Sequence, residues 1–226
     1  MMPNDKLCCL TSLTSLTRLT FADINWASDL LTRAFISLPP VNAFFEDIEE
    51  SKAAKKVSHF MRCNIRYALN YGNGEGFTNA RREGVALWLP PGASYVGLLG
   101  LLRAGMMLAP VNFGPTATLR LIRFAHQIDQ IHRLAAPMPH QYLFIAGVEP
   151  SRRGLGINSS LLMPKLAQFD KKKIATYLET QNYANVELYT KLGFQLVNHQ
   201  KLRGFDNLEN WAMLRQAHPP QSIDSS

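Results

Sequence analysis

Apolar and polar residues alternate over Leu16–Phe21, the period of a half-buried strand. Asp23 then stands where a helix N-cap belongs. It precedes a segment through Phe35 whose Ile24, Ala27, Leu30, Leu31 and Ala34 share one helical face, and Pro39-Pro40 ends it. Ser51 is placed to cap a second helix reaching about Leu69, after an acidic patch of Glu46, Asp47, Glu49 and Glu50. Gly72, Gly74 and Gly76 mark a turn, and the run from Val85 to Leu89 reads as a short buried strand stopped by Pro90-Pro91. Two helical segments follow, Tyr95 to Leu108 and Thr116 to Ala135. In the second, Leu121, Phe124, Ile128, Ile131 and Ala135 keep the spacing of one apolar face, with Arg120, Arg123, Gln127 and Gln130 opposite. Such a stripe is first of all a packing face.

Beyond Pro137 and Pro139 the pattern tightens into short strands and helices in turn. The order predicts a strand from Gln141 to Val148, a helix from Gly154 to Phe169 and a strand from Ile174 to Glu179. A helix from about Asn185 to Lys191 and strands at Phe194–Asn198 and near Asn210–Leu214 complete it. Alternation of this length implies an α/β or α+β layered fold with a crossover, within one domain of 226 residues. No repeat at a solenoid period is visible.

Composition narrows the function classes. The chain is 46% hydrophobic and 18% charged, enough apolar content to bury a core. A formal net charge of +7 suits an anionic partner such as a phosphorylated cofactor. Three cysteines, adjacent Cys8 and Cys9 and distant Cys63, make neither a disulfide scaffold nor a metal spacing, and they fit a reducing compartment. The histidines contain no HExxH, and there is no Gly-x-Ser-x-Gly, so metal and serine hydrolysis have no support. Lys171-Lys-Lys173 is a solvated helix end, which leaves nucleic-acid binding resting on net charge alone. The most apolar stretch, Tyr95 to Leu108, is broken by Arg103 and falls short of the ~20 residues of a membrane span. The first residues carry no apolar leader pattern, and the polar tail over 217–226 reads as frayed. A cytoplasmic protein without membrane or nucleic-acid partners is expected.

The chemically informative stretch is Val148-Glu-Pro-Ser-Arg-Arg-Gly-Leu-Gly-Ile-Asn158, between a strand and a helix. Gly154 and Gly156 let the backbone take angles that a Cβ forbids. The helix that follows offers unpaired N–H groups and a positive dipole end to phosphate oxygens, with Arg152 and Arg153 beside them. No Gly-Lys-Ser/Thr ends the loop, so it is not a Walker A motif. A dinucleotide site of the Rossmann type has Gly154-x-Gly156 and Glu179 in its favour. Against it stand Ser159 at the third glycine position and the short remainder of the chain.

The same stretch resembles the acyl-CoA pyrophosphate loop of the GNAT N-acetyltransferases, Val-x-Pro-x-x-(Gln/Arg)-Gly-x-Gly-x-(Gly/Ala). Arg153 falls on the Gln/Arg position, Gly154 and Gly156 on the glycines, and Asn158 departs from the last small residue. Tyr177-Leu-Glu-Thr180, Asn182, Asn185 and Tyr189-Thr-Lys-Leu-Gly-Phe194 resemble the closing region of that superfamily. His140-Gln-Tyr-Leu143 with Leu-Glu-Thr is similar to its puromycin N-acetyltransferase-like branch. The likeness is clearest over 138–215. It implies a mixed, mostly antiparallel central sheet flanked by helices, with a helical insertion around 95–136 and acetyl-CoA in a splay between two central strands. By the same resemblance Val148, Arg153, Gly154, Leu155, Gly156, Ile157, Asn158, Asn185 and Tyr189 bind the cofactor. The Val148 N–H serves as oxyanion donor, and Tyr189 as the acid that protonates the leaving thiolate.

Glu179, at the end of its strand, is the first candidate for the base that deprotonates the amine, with a loop-capping carboxylate as the alternative role; for Tyr189 the alternative is a core aromatic. Tyr142 and His140 share a strand face, and His140 reads as a surface or capping residue. Glu149 is expected to face solvent. Met106 and Met107 would line a capped pocket, which favours a small-molecule amine as acceptor. Direct acetyl transfer to that amine in a ternary complex is the leading reading. The alternatives are a non-catalytic acyl-CoA-binding module and acetylation of protein amino groups.

Overall fold

The structure is a computed structural model that describes residues 16–45 and 50–217. Strand β1 (Leu16–Arg18) leads through a 3-10 turn (Phe21–Asp23) into α1 (Ile24–Phe35), followed by α2 (Pro39–Phe44), α3 (Glu50–Arg66), β2 (Glu75–Asn79) and β3 (Gly84–Leu89). Helices α4 (Leu98–Arg103), α5 (Ala109–Phe113) and α6 (Pro115–Ala135) precede β4 (His140–Val148), α7 (Ile157–Lys171), β5 (Ala175–Thr180), α8 (Ala184–Lys191), β6 (Gln195–Lys201) and β7 (Glu209–Arg215). The seven strands form one sheet in the order β1-β2-β3-β4-β5-β7-β6; β4 and β5 run parallel and every other neighbouring pair is antiparallel. The expected mixed, mostly antiparallel sheet flanked by helices is what the chain forms.

Several boundaries differ from the sequence pattern for identifiable reasons. The first strand stops at Arg18, because Phe21 already begins the 3-10 turn. Asp23 is the residue before α1, yet its carboxylate does not cap that helix. It accepts instead from the Thr20 N–H (2.8 Å), the Thr20 hydroxyl (2.8 Å) and Trp26 Nε1 (2.8 Å). Pro39-Pro40 opens α2 rather than merely ending α1, since proline is well suited to a first helical turn. The second long helix gives way after Arg66 to a wide turn over Tyr67–Tyr71. The Glu46-Asp47-Glu49 patch and the tail from residue 218 lie outside the described residues, as do Cys8 and Cys9. Gly76 belongs to β2, a strand concealed by the three glycines. The Tyr95–Leu108 segment is helical only over α4 and a 3-10 turn at Met106–Leu108, interrupted at Gly105, whose φ is +120°. Of the two methionines, Met106 packs on the core and Met107 is exposed.

The sheet separates two cores. On one face Leu30, Leu31, Val57, Ile65, Phe113 and Leu121 of the helices before β4 cover Val85, Leu87, Tyr142, Tyr177 and Ala212. On the other face Leu162, Leu166 and Phe169 of α7 and Tyr189 of α8 cover Ala86, Trp88, Leu143, Leu178 and Met213. A bulge in β4 joins these two packings. Leu87 pairs with Ile145 and Trp88 with Leu143, so Phe144 is the extra residue, and Phe144 and Ile145 both pack on the first core.

Candidate functional site

The β4–β5 ladder runs from His140↔Ala175 to Leu143↔Leu178. Beyond it β4 stays with β3 up to Gly84↔Val148, while β5 stays with β7 through Glu179↔Ala212 and Thr180↔Trp211. The parallel pair therefore forks immediately after the β4 bulge, and Glu179 is the first β5 residue past the fork. The Glu149 N–H donates to the Glu83 carbonyl at 2.9 Å, with Val148 opposite Gly84. Because hydrogen bonding alternates along an antiparallel ladder, the Val148 N–H turns away from β3, toward the fork.

At the top of β4 the chain crosses a 3-10 turn (Pro150–Arg152) to the N-terminus of α7. Gly154 and Gly156 have φ of +78° and +74°, the left-handed region that glycine enters without steric penalty. These turns leave the N–H groups of Gly154, Leu155, Gly156, Ile157, Asn158 and Ser159 without an acceptor among the described residues; the Ser160 N–H is the first to close on the helix, to Gly156 O at 3.0 Å. A row of six successive main-chain donors at a helix mouth forms a cradle that can hold an anion. The regular helix begins at Ile157, three residues later than the sequence pattern suggests.

The loop's charged side chains brace it rather than line the cradle. Arg153 donates to the Ala34 carbonyl at the end of α1 (2.6 Å), and Arg152 lies 3.4 Å from Glu83. Glu149 does not simply face solvent: Arg33 grips its carboxylate with a fork of 3.0 and 2.7 Å, which holds the acid below the usual carboxylate range. Leu155 is exposed between the two glycines. Asn158 has an ordinary helical backbone, and its side chain turns inward: Oδ1 is buried without a partner, and the amide donates toward the Tyr189 hydroxyl.

Tyr189 sits on the α7–α8 side of the sheet, 6% exposed and edge-on to Phe194. Burial pushes its hydroxyl up to about 12, against the pull of hydrogen bonding with Asn158. Asn185 donates to Thr180 Oγ1 at 3.1 Å, fastening α8 to the end of β5.

Glu179 occupies the opposite face. Tyr142 donates to its Oε2 at 3.0 Å and Tyr177 to its Oε1 at 2.7 Å. Burial raises the carboxyl to about 7 despite both hydrogen bonds, with Asp129 of α6 adding a repulsive charge. Behind this pair His132 stacks on Tyr177 (centroids 4.2 Å apart, planes at 15°). Its Nε2 meets Nε2 of His140 at 2.7 Å, and His140 Nδ1 lies 2.7 Å from the Met138 carbonyl. His140 is thus fully buried, contrary to the surface role expected for it. Desolvation drives both histidines below their ordinary value, His132 to about 3.

The structure accordingly brings Val148, the 154–158 turn, Asn158 and Tyr189 to one side of the fork and Glu179 to the other. The Tyr177 hydroxyl, His132 and Asp129 were not singled out from the sequence. Tyr177 and Glu179 share a strand face by the period of two, which is a readable signal; the approach of α6 is not. A groove of about 650 Å³ between α6 and β6, lined by Arg123, His126, Lys201 and Arg203 among others, shares no residue with this site.

Splayed strands, a row of free main-chain donors at the helix after β4 and a closing β6–β7 hairpin give the fold that the resemblance to the GNAT superfamily implies. Comparison with solved structures agrees. The chain superposes on the structure described as histone acetyltransferase HPA2 and related acetyltransferase from Corynebacterium glutamicum with TM-score 0.64 and 23% identity over 92% of this chain and 98% of that one. The C-terminal condensation domain of Ebony, solved with beta-alanyl-dopamine, matches with TM-score 0.61 and 7% identity over 89% and 98%. The polyamine N-acetyltransferase of Drosophila melanogaster matches with TM-score 0.55 and 11% identity over 89% and 99%. At these identities the likeness establishes the fold. No protein-family model matches the chain.

Proposed function

We propose that this chain is an N-acetyltransferase that moves an acetyl group from acetyl-CoA to the amine of a small molecule. The observation that carries the reading is the row of six acceptor-free N–H groups from Gly154 to Ser159, at the mouth of a fork that exposes the Val148 N–H on one edge and Glu179 on the other. The fit to a diphosphate is good: the donors are consecutive, the helix dipole adds to them, and a Cβ at Gly154 or Gly156 would be opposed by backbone strain alone. Acetyl-CoA supplies a thioester, an acyl carbon already activated toward amines. The polyamine N-acetyltransferase of Drosophila, named for its amine substrate, supports an amine acceptor.

The residues divide the remaining work. The 154–159 amides bind the diphosphate, and Arg153 and Asn185 act as braces, holding the loop to α1 and α8 to β5. Holding amine and thioester at one fork removes much of the entropic barrier to a bimolecular reaction. Glu179, at about 7, is poised to take one proton from an ammonium near neutral pH. The Val148 N–H is aimed to stabilise negative charge on a carbonyl oxygen in the fork. As the new C–N bond forms and the C–S bond breaks, a second proton must reach sulfur. Tyr189, fully protonated at neutral pH, supplies it and recovers one from the nitrogen. The amine thus enters from the α1–α6 face and the thioester from the α7–α8 face.

The test is a panel of amines with acetyl-CoA, read by release of free thiol, beside thermal unfolding with and without acetyl-CoA. A ligand at a hundred times its Kd stabilises by about 2.7 kcal/mol. Thiol release with at least one amine and a rise in Tm are the expected results. No rise at millimolar acetyl-CoA, with no thiol release from any amine, would overturn the proposal.

A further inference from the structure

Tyr142 and Tyr177 face each other directly across the parallel ladder, one residue before it ends, and Glu179 follows Tyr177 on the same face. Each hydroxyl donates to a different oxygen of the Glu179 carboxylate, at 3.0 and 2.7 Å. Tyr142 is 6% exposed and Tyr177 fully buried, so neither phenol exchanges its bond for water. The stack of His132 fixes the Tyr177 ring, and His132 spends its own Nε2 on His140. We propose that Tyr142 and Tyr177 are positioning residues which clamp the Glu179 carboxylate at the fork, one oxygen each, and hold it in the ionised form that accepts a proton from the amine. The proposal rests on the transferase reading, in which R–NH3⁺ and Glu179–COO⁻ become R–NH2 and Glu179–COOH before attack.

The chemistry of the surroundings makes the clamp necessary. The groups facing Glu179 and its two tyrosines are Asp129 and His132 of α6, His140 of β4 and Tyr95 ahead of α4. None is a cation, because burial keeps both histidines neutral. Arg133, which follows His132 on α6, is spent on Asp129 at 2.8 Å and on the Tyr95 ring at 4.3 Å. Two hydroxyl donors are thus what offsets burial and the Asp129 charge. Burial also holds both phenols above their ordinary value, so they donate throughout the working pH range.

The experiment is a pH titration of the full chain carrying ¹³C-labelled glutamate carboxyls, with the Glu179 signal assigned by its loss in Glu179→Gln. The wild-type midpoint is expected near 7. Tyr142→Phe and Tyr177→Phe each remove a charge-stabilising hydrogen bond and are expected to raise it by about one pH unit. Asp129→Asn, on the outer side of α6, is expected to lower it. The acid limb of kcat/KM should move with each midpoint while KM for acetyl-CoA stays unchanged. A midpoint unmoved or lowered in both phenylalanine variants would overturn the clamp, and the Asp129→Asn shift provides a reading even if one of them fails to fold. If no amine is turned over and acetyl-CoA gives no rise in Tm, the transferase reading falls, whereas the carboxyl titration still decides the clamp.

Discussion

Gly156 shows how much of the site one residue carries. Its φ of +74° places it in the left-handed region immediately before α7, and a Cβ there would meet no atom within 4 Å. Alanine is therefore opposed by backbone strain alone, on the order of 1 kcal/mol. Relaxing that strain rotates the very peptides that line up the donors. Gly156→Ala is expected to lower stability in urea by about 1 kcal/mol and to weaken acetyl-CoA binding by tenfold or more, since several hydrogen bonds to charged oxygens are lost together. Calorimetric titration beside denaturation checks both; unchanged affinity with the full stability loss would show that the cradle does not depend on this turn. This position was legible in the sequence, because only glycine tolerates that angle cheaply. Asn158 was legible as a departure from the expected pattern but not in its consequence: its backbone is ordinary, and the side chain serves Tyr189. Arg153 was read as a charge for the ligand, whereas the structure gives its guanidinium to the Ala34 carbonyl, a long-range partner that no local pattern announces.

Among elements, the alternation after Pro137 predicted every strand and helix to within a few residues, because each is short and flanked by turn residues. The region before it was harder to read. Strand β2 hides in a glycine run, and the helices between β3 and β4 are set by a break at Gly105 and by packing on the sheet rather than by periodicity. The ends of β7, α7 and α8 are tied by one buried group. Arg215, 6% exposed, forks onto both oxygens of Asp170 at 2.7 and 2.8 Å and donates through Nε to the Leu192 carbonyl at 3.0 Å. Asp170→Ala leaves that guanidinium buried without its counter-charge. Losing one partner of a fully buried pair costs 3–5 kcal/mol, and the carboxylate here is one-fifth exposed, so the expected loss is about 2 kcal/mol. Denaturant midpoints measure it. A loss below about 0.5 kcal/mol would mean that water already solvates the pair. The cradle lies at the other end of α7, so acetyl-CoA affinity should be retained in this variant.

For the whole molecule, the buried titratable groups on the α1–α6 face of the sheet pull stability in opposite directions with pH. His132 and His140 are held below their ordinary value, His132 at about 3, so below 6.5 the unfolded chain binds protons that the folded chain refuses. Their contribution to stability falls as pH drops from 6.5. At pH 5, a unit and a half below 6.5, His132 alone accounts for about 2 kcal/mol. Glu179 acts in the reverse sense. With its folded value raised from 4.5 to about 7, the folded state binds the extra proton, and its contribution is full below 4.5 and lost as pH rises through 7. The ion-paired Asp23, Glu75 and Glu149 have lowered values and matter only in stronger acid. Between pH 4.5 and 7 the two effects therefore oppose each other: as pH rises the histidines add stability in urea up to about 6.5, Glu179 removes it up to about 7, and above about pH 8 neither group changes it further. Glu179→Gln should remove the decline between pH 4.5 and 7, so that the variant gains about 3 kcal/mol on wild type from pH 4.5 to pH 8.5, while abolishing thiol release. Equal slopes in the two proteins between pH 4.5 and 7 would show that this carboxyl titrates at its ordinary value and that the fork holds no poised base. A variant freed of that decline, with activity lost, would locate at one residue both the cost in stability and the chemistry it serves, as expected where a charge is buried for function rather than for the fold.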